Sequence, residues 1–274
     1  MAAQPEITNM ALFCDFENVA LGVRDAKYAQ FDIQKVLERL LLKGSIVVKK
    51  AYCDWERYKE FKGKMHEASF ELIEIPHVRQ SGKNSADIRM VVDALDLCYT
   101  KAHVDTFVII SGDSDFSPLV SKLRENNKYV IGIGVKDSTS DLLSANCDEF
   151  IFYDDLVREQ EAKKQRAEKK SPPKSRTSRS KQTASKKEDD KRQEALDFIV
   201  ETVEALIAER GSDEKIWGSM VKTTMQRRKP GFTESYYGYR SFKDLVEDAQ
   251  KNKLLMVVRD ERSGQYTIRL SAAD

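Results

Sequence analysis

The chain has 274 residues, of which 41% are hydrophobic and 33% are charged, and its formal net charge is +1. This length provides for one large domain or two smaller ones, and the near-neutral charge gives no overall field that would indicate a nucleic-acid partner. No secretory signal or apolar run of membrane-spanning length is present, so we expect a cytoplasmic protein that does not enter a membrane. The four cysteines include no CxxC pair and the three histidines stand apart, which argues against a zinc site.

Strand-like and helix-like segments alternate in the first half of the chain. Strands are predicted at residues 10–16, 45–54, 70–76, 106–111 and 129–135, and helices at residues 31–43, 55–69, 85–102 and 116–127. This alternation predicts an α/β fold, with a parallel sheet covered by helices on both faces. We assign residues 1–157 to this first domain.

The composition changes at residue 158. Residues 158–192 are rich in Lys, Arg, Ser and Pro and contain almost no large apolar side chains, so we predict a flexible basic linker whose first residues extend a helix. In the last segment, residues 193–274, three amphipathic helices precede a hairpin. This pattern predicts a small winged-helix-like α+β domain.

Carboxylates follow two of the predicted strands of the first domain. Asp15 ends the first strand in "FCDFEN", and Asp113 and Asp115 follow the apolar strand "FVII" in "SGDSDF". Ligands of open α/β sheets bind beyond the carboxyl ends of the strands, which is where these side chains are expected. Each alone has an ordinary explanation as a turn residue or a helix cap, and Asp115 could cap a helix while Asp113 holds an ion.

Asp87 is expected to join these carboxylates from a helix. At 100° per residue it begins the apolar stripe that contains Met90, Val91 and Ala94, so it points inward. Its alternative role is that of a favourable acidic residue in the first turn of a helix. Asp93 lies well round the helix and is expected to be solvated, although it could still reach the rim of the site.

Several carboxylates at one cleft need a counter-charge, and Mg²⁺ or Mn²⁺ prefers carboxylate and water ligands. We therefore expect Asp15, Asp87, Asp113 and Asp115 to be catalytic metal ligands, with one or two ions supporting phosphodiester hydrolysis by a metal-activated water. Asn18 and Ser111 could fix a carboxylate or contact a substrate phosphate, and Lys83 could contact a substrate phosphate. A haloacid-dehalogenase-like phosphatase is a weaker alternative, because "DFEN" has Glu17 at the position of its second Asp.

The stretches "ALFCDFENV", "GKNSADIRMVVDAL" and "VIISGDSDFSPLVSKLRENNKYVIGIG" resemble the NYN domain, a branch of the PIN-like nucleases that includes the LabA group. The resemblance covers roughly residues 10–156. It implies a PIN-like three-layer α/β/α fold and cleavage of RNA with Mg²⁺ or Mn²⁺. Asp15, Asp87, Asp113 and Asp115 match the family's acidic positions and Asn18 matches its asparagine, whereas Asp93 matches less closely.

The last part, from "IWGSMVKTTMQRRKPGF" to "GQYTIRL", resembles the OST-HTH/LOTUS domain. That family implies binding of RNA or of a partner protein. Cations beside aromatic side chains suit phosphates and unstacked bases. The candidate RNA contacts of this kind are Lys222, Arg227, Arg228, Lys229, Tyr236, Tyr237 and Arg240. Core packing by some of the tyrosines, and a solvated basic helix end, are the alternatives.

The sequence therefore favours a metal-dependent endoribonuclease with an appended RNA-binding module. The alternative is an RNA-binding or partner-binding adaptor with a weak or inactive nuclease pocket. The RNA target, the number of metals and the oligomeric state, including a homo-oligomer, are open at this point.

Overall fold

A parallel sheet forms the centre of the first part of the chain. The computed structural model describes residues 8–28, 30–75, 85–170, 185–211, 214–260 and 265–271, with backbone alone at 162–170 and 185–189. The strands are β1 Asn9–Asp15, β2 Ser45–Cys53, β3 Glu71–Glu74, β4 Thr106–Ile110, β5 Tyr129–Gly134 and β6 Glu149–Phe152. They lie in the order β3-β2-β1-β4-β5-β6, and each neighbouring pair is parallel.

Helices cover both faces of this sheet. They are α1 Phe16–Asp25, α2 Ile33–Lys43, α3 Lys59–Glu67, α4 Ser85–Thr100, α5 Ser117–Glu125, α6 Asp141–Asn146 and α7 Tyr153–Lys170. Successive residues of β1 point to opposite faces. Leu12 and Cys14 enter a core with α1, α2, α3 and α7, whereas Ala11 and Phe13 enter a second core with α4, α5 and α6. The expected three-layer α/β/α architecture is confirmed.

The second part of the chain is a separate compact unit. It contains α8 Ser185–Arg210, α9 Gly218–Arg228 and α10 Phe242–Lys251, followed by the antiparallel strands β7 Leu255–Arg259 and β8 Tyr266–Leu270. One apolar core joins the helices to the hairpin. The expected winged-helix-like arrangement of three helices and a hairpin is confirmed.

Several element boundaries differ from those predicted. Helix α1 was not predicted. Helix α3 begins four residues later than expected, because Trp55 packs into the core and its N–H donates to the Glu74 carboxylate at 3.0 Å. The linker predicted at residues 158–192 is helical at both ends, in α7 and α8. In the described part of the chain, no helix has the length and apolar character needed to cross a bilayer.

Candidate functional site

The strand order creates a crevice between β1 and β4. The chain moves outward from β1 through β2 to β3 and then returns to the other side of β1 as β4. This reversal is a topological switch point, where open α/β sheets bind their ligands beyond the carboxyl ends of the strands. Asp15 is the last residue of β1, and the segment Ser111–Asp115 follows β4 directly. These acids therefore lie at the carboxyl end of the sheet, as expected.

Asp15 is buried at this crevice, with only 8% of its surface exposed. Its Oδ2 accepts a hydrogen bond from the Ser111 hydroxyl at 3.0 Å, and its Oδ1 accepts one from the Asn18 N–H at 3.4 Å. Burial, followed by the charge of Asp87, raises the pKa of Asp15 to about 7, although these two hydrogen bonds act to lower it. The fold thus holds a carboxyl group where its ionised form is unfavourable.

Ser111 and Asn18 tie the ends of β1 and β4 together. The Ser111 hydroxyl also accepts a hydrogen bond from the Asp113 N–H at 3.2 Å, and the Asn18 side-chain oxygen accepts one from the Gly112 N–H at 2.9 Å. Ser111 is fully buried. Both were expected to fix a carboxylate or to contact a substrate phosphate, and both donate a hydrogen bond to the Asp15 carboxylate, Ser111 from its hydroxyl and Asn18 from its backbone N–H. The geometry favours a role in positioning Asp15 and Asp113.

Gly112 allows the loop after β4 to pack closely against its neighbour. A Cβ atom added there would lie 2.4 Å from the backbone oxygen of Ser138, so any larger residue would displace one of the two segments. The Ser140 N–H also donates to the Gly112 oxygen at 2.9 Å. The position of Asp113 therefore depends on the glycine that precedes it.

Asp113 and Asp115 begin a short 3₁₀ helix, residues 114–116. The Asp113 carboxylate caps it by accepting a hydrogen bond from the Asp115 N–H at 3.0 Å. Both residues were considered as caps from the sequence, and in the structure the cap is Asp113. Asp113 is half-buried and Asp115 is exposed, and the charge of each acts on Asp87.

Asp87 faces the same region from the first turn of α4. Burial, and then the charges of Asp113, Asp115 and Glu17, raise its pKa to about 6. Asp87 and Asp115 line one groove of about 710 Å³ between α4 and α5, with apolar walls that include Val91, Val92 and Leu142. The inward direction predicted for Asp87 agrees with its half-buried position.

The fit of a metal ion is set by the chemistry of these donors. Within the part of the chain that the structure describes, no three His, Cys, Asp or Glu side chains lie close enough together to ligate one ion. Mg²⁺ commonly binds through one or two carboxylates and completes its shell with water. The raised pKa values of Asp15 and Asp87 mark a cluster whose ionised form a cation would stabilise. The donors present therefore fit such an ion bound largely through water.

Asp93 lies outside this cluster. Its carboxylate accepts hydrogen bonds from the Tyr52 hydroxyl at 2.9 Å, from Arg89 at 3.0 Å and from Lys50 at 3.3 Å. Burial acts to raise its pKa, but the hydrogen bond from Tyr52 and the two cations outweigh it and the pKa is lowered. Asp93 thus already has its counter-charges. Lys83, a candidate phosphate contact, lies outside the described residues.

Glu17 and Arg57 are at the same edge of the sheet and were not among the predicted site residues. The Arg57 Nη1 donates to the Glu17 Oε1 at 3.1 Å. Arg57 was missed because the segment at 55–69 was predicted to be one helix, which conceals that residues 54–58 form the turn after β2. The signal available for Glu17 was its spacing of two residues from Asp15.

The candidate RNA contacts of the second unit differ in their accessibility. Tyr236 and Arg240 are exposed, and the Lys191 amine lies 3.9 Å from the centre of the Tyr236 ring. By contrast, Tyr237 packs in the core, where its ring stacks on Phe232. The accessible aromatic residue is therefore Tyr236.

The basic cluster of α9 is largely engaged within the protein. Arg228 bonds to Glu201 at 2.6 Å, Lys229 bonds to Glu194 at 2.8 Å, and Lys222 pairs with Glu234 at 3.5 Å. Arg227 is half-buried, and burial lowers the pKa of its guanidinium. These residues are less available to RNA than the sequence indicated.

Comparison with known proteins gives a family for the first unit. The NYN domain model matches residues 9–154, more than half of the chain. An uncharacterised protein from Methanocaldococcus jannaschii is 28% identical over 125 residues, which are 46% of this chain and 49% of that protein. The chain thus spans about half the length of this curated relative.

A crystal structure of a protein of unknown function from Vibrio parahaemolyticus is 27% identical, with a TM-score of 0.49. The match covers 56% of this chain and 98% of that one. The parallel sheet, the acids at its switch point and the match of the family model over residues 9–154 lead to one conclusion: this chain belongs to the NYN domain family.

Proposed function

We propose that this chain is a divalent-metal-dependent endoribonuclease whose active site is the crevice between β1 and β4. The observation that carries the proposal is the buried Asp15, which lies at the switch point beside Asp87 and Asp113 with its pKa raised to about 7. Among the described residues, no Lys or Arg forms an ion pair with these three carboxylates. A protein keeps such a cluster at the cost of stability, and clusters of this kind occur preferentially at functional sites.

The four carboxylates have one part in the proposed reaction. Asp15, Asp87, Asp113 and Asp115 would hold Mg²⁺ or Mn²⁺ largely through water, with at most two of them as direct ligands of one ion. Ser111 and Asn18 would keep Asp15 in place. When bound, the ion would activate water and stabilise the charge that develops at the phosphate. The exposed Asp115 and the groove beside it would receive the RNA chain.

The test is cleavage of total RNA with Mg²⁺ or Mn²⁺, with the ends mapped by sequencing. We expect Asp113→Asn to reduce the rate by at least about 100-fold, the scale of losing a main electrostatic contribution to the transition state, and to leave RNA binding intact. Asp96→Asn is the matched control, because Asp96 is an exposed carboxylate on α4 outside the cluster. Equal rates for Asp113→Asn and the wild type would overturn the assignment of this site.

The spacing of the acids favours a second candidate function. Because no three acidic side chains in the described residues lie within ligating distance of one point, an adaptor with a weak or inactive pocket is the alternative. It predicts RNA binding without cleavage by the highly purified protein at any Mn²⁺ concentration. A covalent phosphatase has less support, since both Asp15 oxygens accept hydrogen bonds and the side chain is buried.

We also propose that the second unit binds RNA through the exposed Tyr236, beside Lys191, together with the exposed Arg240. An exposed aromatic ring beside a cation suits an unpaired base and its phosphate. Tyr236→Ala should weaken RNA binding about 5- to 100-fold, the range found when one base loses its stacking partner. An unchanged affinity, with binding of a partner protein lost instead, would assign this surface to a protein.

A further inference from the structure

The turn after β2 brings a cation to the edge of the sheet that holds the acids. Strand β2 lies beside β1 on the side away from β4, and Tyr52 is paired with Asp15. Arg57 lies five residues beyond Tyr52, in the turn that leads to α3. The turn that carries Arg57 is therefore at the same end of the sheet as Asp15, on the side of β1 away from β4.

The turn is anchored, so Arg57 has a defined place. The ring of Trp55 is buried and lies 4.9 Å from that of Phe16, the residue directly after Asp15. The ring of Tyr58 also packs on Phe16, at 5.6 Å. Within the turn, the Arg57 N–H donates to the Asp54 oxygen at 3.1 Å. Arg57 thus sits between two aromatic residues that are fixed to the start of α1.

The Arg57 side chain is held by a contact that can open. In the described part of the chain its hydrogen bonds go to Glu17 alone, and the two side chains are 50% and 36% exposed. Exposed ion pairs of this kind contribute only about 0.2–1 kcal/mol. A guanidinium has five N–H donors and this contact uses Nη1, so most of its hydrogen-bonding capacity is available to a ligand.

The charge of the site explains why such a cation is needed. Glu17 lies two residues after Asp15 in the first turn of α1 and pairs with Arg57, so acidic side chains extend from the crevice to the Arg57 turn. The negative charge of this cluster would repel each phosphate of an RNA chain that is not paired with a cation. Two nearby cations, Arg89 and Lys50, are already paired with Asp93. The planar guanidinium of arginine suits a phosphate, which it can bind through two N–H groups at once.

We propose that Arg57 forms a phosphate-binding subsite for RNA, and that it leaves Glu17 to bind a phosphate next to the one cleaved. This inference rests on the proposed function, because it concerns the substrate of the same site. When no RNA is bound, Glu17 pairs with Arg57 and keeps its side chain extended toward the crevice.

The first test is a kinetic comparison of Arg57→Gln with the wild type. We expect KM for RNA to rise about 5- to 20-fold and kcat to stay within about twofold. The salt dependence of binding should also weaken, by about 0.7 in the slope of log K against log salt for one lost phosphate contact on a single strand. Arg57→Lys should recover part of the affinity, since it restores a point charge without the planar donors.

Arg124→Gln is the matched control. Arg124 is 47% exposed and pairs with Asp148 at 2.9 Å, but it lies at the end of α5, which leads to the start of β5 and so to the opposite edge of the sheet. Its KM and salt slope should equal those of the wild type. Equal thermal midpoints for the two variants would show that neither substitution has unfolded the protein. A fall in kcat with unchanged KM for Arg57→Gln would overturn the subsite.

A double-mutant cycle separates the ion pair from the general charge of the cluster. Glu17→Gln should lower KM about two- to fivefold by releasing Arg57, the fold-change that corresponds to the energy of an exposed pair. In the Arg57→Gln background the same substitution should have a clearly smaller effect. An identical effect in both backgrounds would mean that Glu17 acts only through its charge, and would remove it from the proposal.

Binding to the Asp113→Asn protein separates this inference from the proposed function. Fluorescence anisotropy with a labelled single-stranded RNA measures the subsite when cleavage is absent. If the wild type never cleaves but Arg57→Gln still weakens binding, the nuclease proposal fails and the subsite stands. If the wild type cleaves and Arg57→Gln leaves KM and affinity unchanged, the subsite is wrong. Absence of any RNA binding would reject both.

Discussion

Asp15 is held where a neutral side chain would suit the fold better than a charged one. Its folded pKa of about 7 lies well above the ordinary value of 3.8. Between about pH 4 and pH 7 the folded protein therefore keeps a proton that the unfolded chain has lost. The contribution of Asp15 to the free energy of unfolding is greatest at low pH and declines as the pH rises through this window.

Because the protein loses stability as Asp15 ionises, removal of this carboxylate should stabilise the metal-free protein at high pH. At about 1.4 kcal/mol per pKa unit, ionisation of Asp15 costs a few kcal/mol of stability by pH 8. Asp15→Asn should therefore raise the free energy of unfolding at pH 8 by roughly 1–3 kcal/mol and have little effect at pH 4. Urea denaturation followed by tryptophan fluorescence measures this change in the free energy of unfolding. A Trp217→Phe background leaves Trp55 as the one remaining tryptophan.

Asp96→Asn provides the control for this measurement. Asp96 is an exposed carboxylate on α4, so its substitution should leave the pH dependence of unfolding as in the wild type. Identical pH slopes for the wild type and Asp15→Asn would contradict the burial argument. Addition of Mn²⁺ should stabilise the wild type more than Asp15→Asn, since only the wild type offers the ionised ligand.

Ser111 gives a second prediction at this scale. Its hydroxyl donates to Asp15 and accepts from the Asp113 N–H, so it sets the distance between two proposed ligands. Residues that hold metal ligands typically contribute 10- to 100-fold in metal affinity or activity. We expect Ser111→Ala to weaken Mn²⁺ binding about 10-fold or more in a calorimetric titration. Ser121→Ala, which changes a groove residue on α5 outside the cluster, should bind Mn²⁺ as the wild type does.

The sequence was sufficient to locate the acids but not to assign the roles around them. Asp15 and Asp113 could be placed because each follows an apolar strand, and parallel strands bring their carboxyl ends together. The side-chain contact of Asn18 could not be predicted, since it is with Gly112, which is far away in sequence. The spacing of residues along the sequence does not predict such a contact. It arises only when β1 and β4 become neighbours.

At the scale of elements, the loop between β4 and α5 depends on close packing at Gly112. A Cβ at this position would meet the Ser138 oxygen at 2.4 Å. We expect Gly112→Ala to destabilise the protein by roughly 1–3 kcal/mol, as overpacking usually does. It should also reduce the rate of RNA cleavage, because the loop that carries Asp113 must move. Urea denaturation and initial rates measure the two effects.

Gly63→Ala is the matched control for Gly112→Ala. Gly63 lies on the exposed side of α3, and an added Cβ there meets nothing within 4 Å. Because alanine favours the helix over glycine by roughly 0.5–1 kcal/mol, this variant should be slightly more stable than the wild type. Destabilisation by both substitutions to the same extent would contradict the role given to the loop.

The elements that the sequence located correctly are the ones with regular periodicity. The buried strands β1 and β4 have continuous apolar runs, and their neighbours in the sheet followed from the alternation of strands and helices. The start of α3 was misplaced because Trp55 and Tyr58 belong to the core cluster around Phe16. Tertiary packing there overrides the helical pattern, and the same error concealed Arg57.

At the scale of the whole molecule, the chain contains two units with separate cores. The two clusters that pack against the parallel sheet draw only on residues up to Val157, and the third cluster begins at Ala195. No residue is shared between the two sets. Each unit therefore buries its own apolar surface, which is the condition for independent folding.

This separation allows the contribution of the second unit to be measured. A protein ending at Lys170 should fold and keep a kcat within about twofold of the full chain, because the acids and their supports all lie before that residue. On long RNA its KM should rise about 10-fold or more, since a tethered second binding unit raises the local concentration of substrate. The salt dependence of binding should weaken as well, because fewer phosphates are contacted.

The length of the RNA provides the internal control for this truncation. An oligonucleotide of about six residues has too few nucleotides to fill the crevice and a second binding surface at once, so full and truncated proteins should cleave it with the same KM. A higher KM for the truncated protein on this short RNA would mean that the second unit contributes to the active site directly. Equal KM values on long RNA would mean that it does not anchor the substrate, which leaves binding of a partner protein as its role.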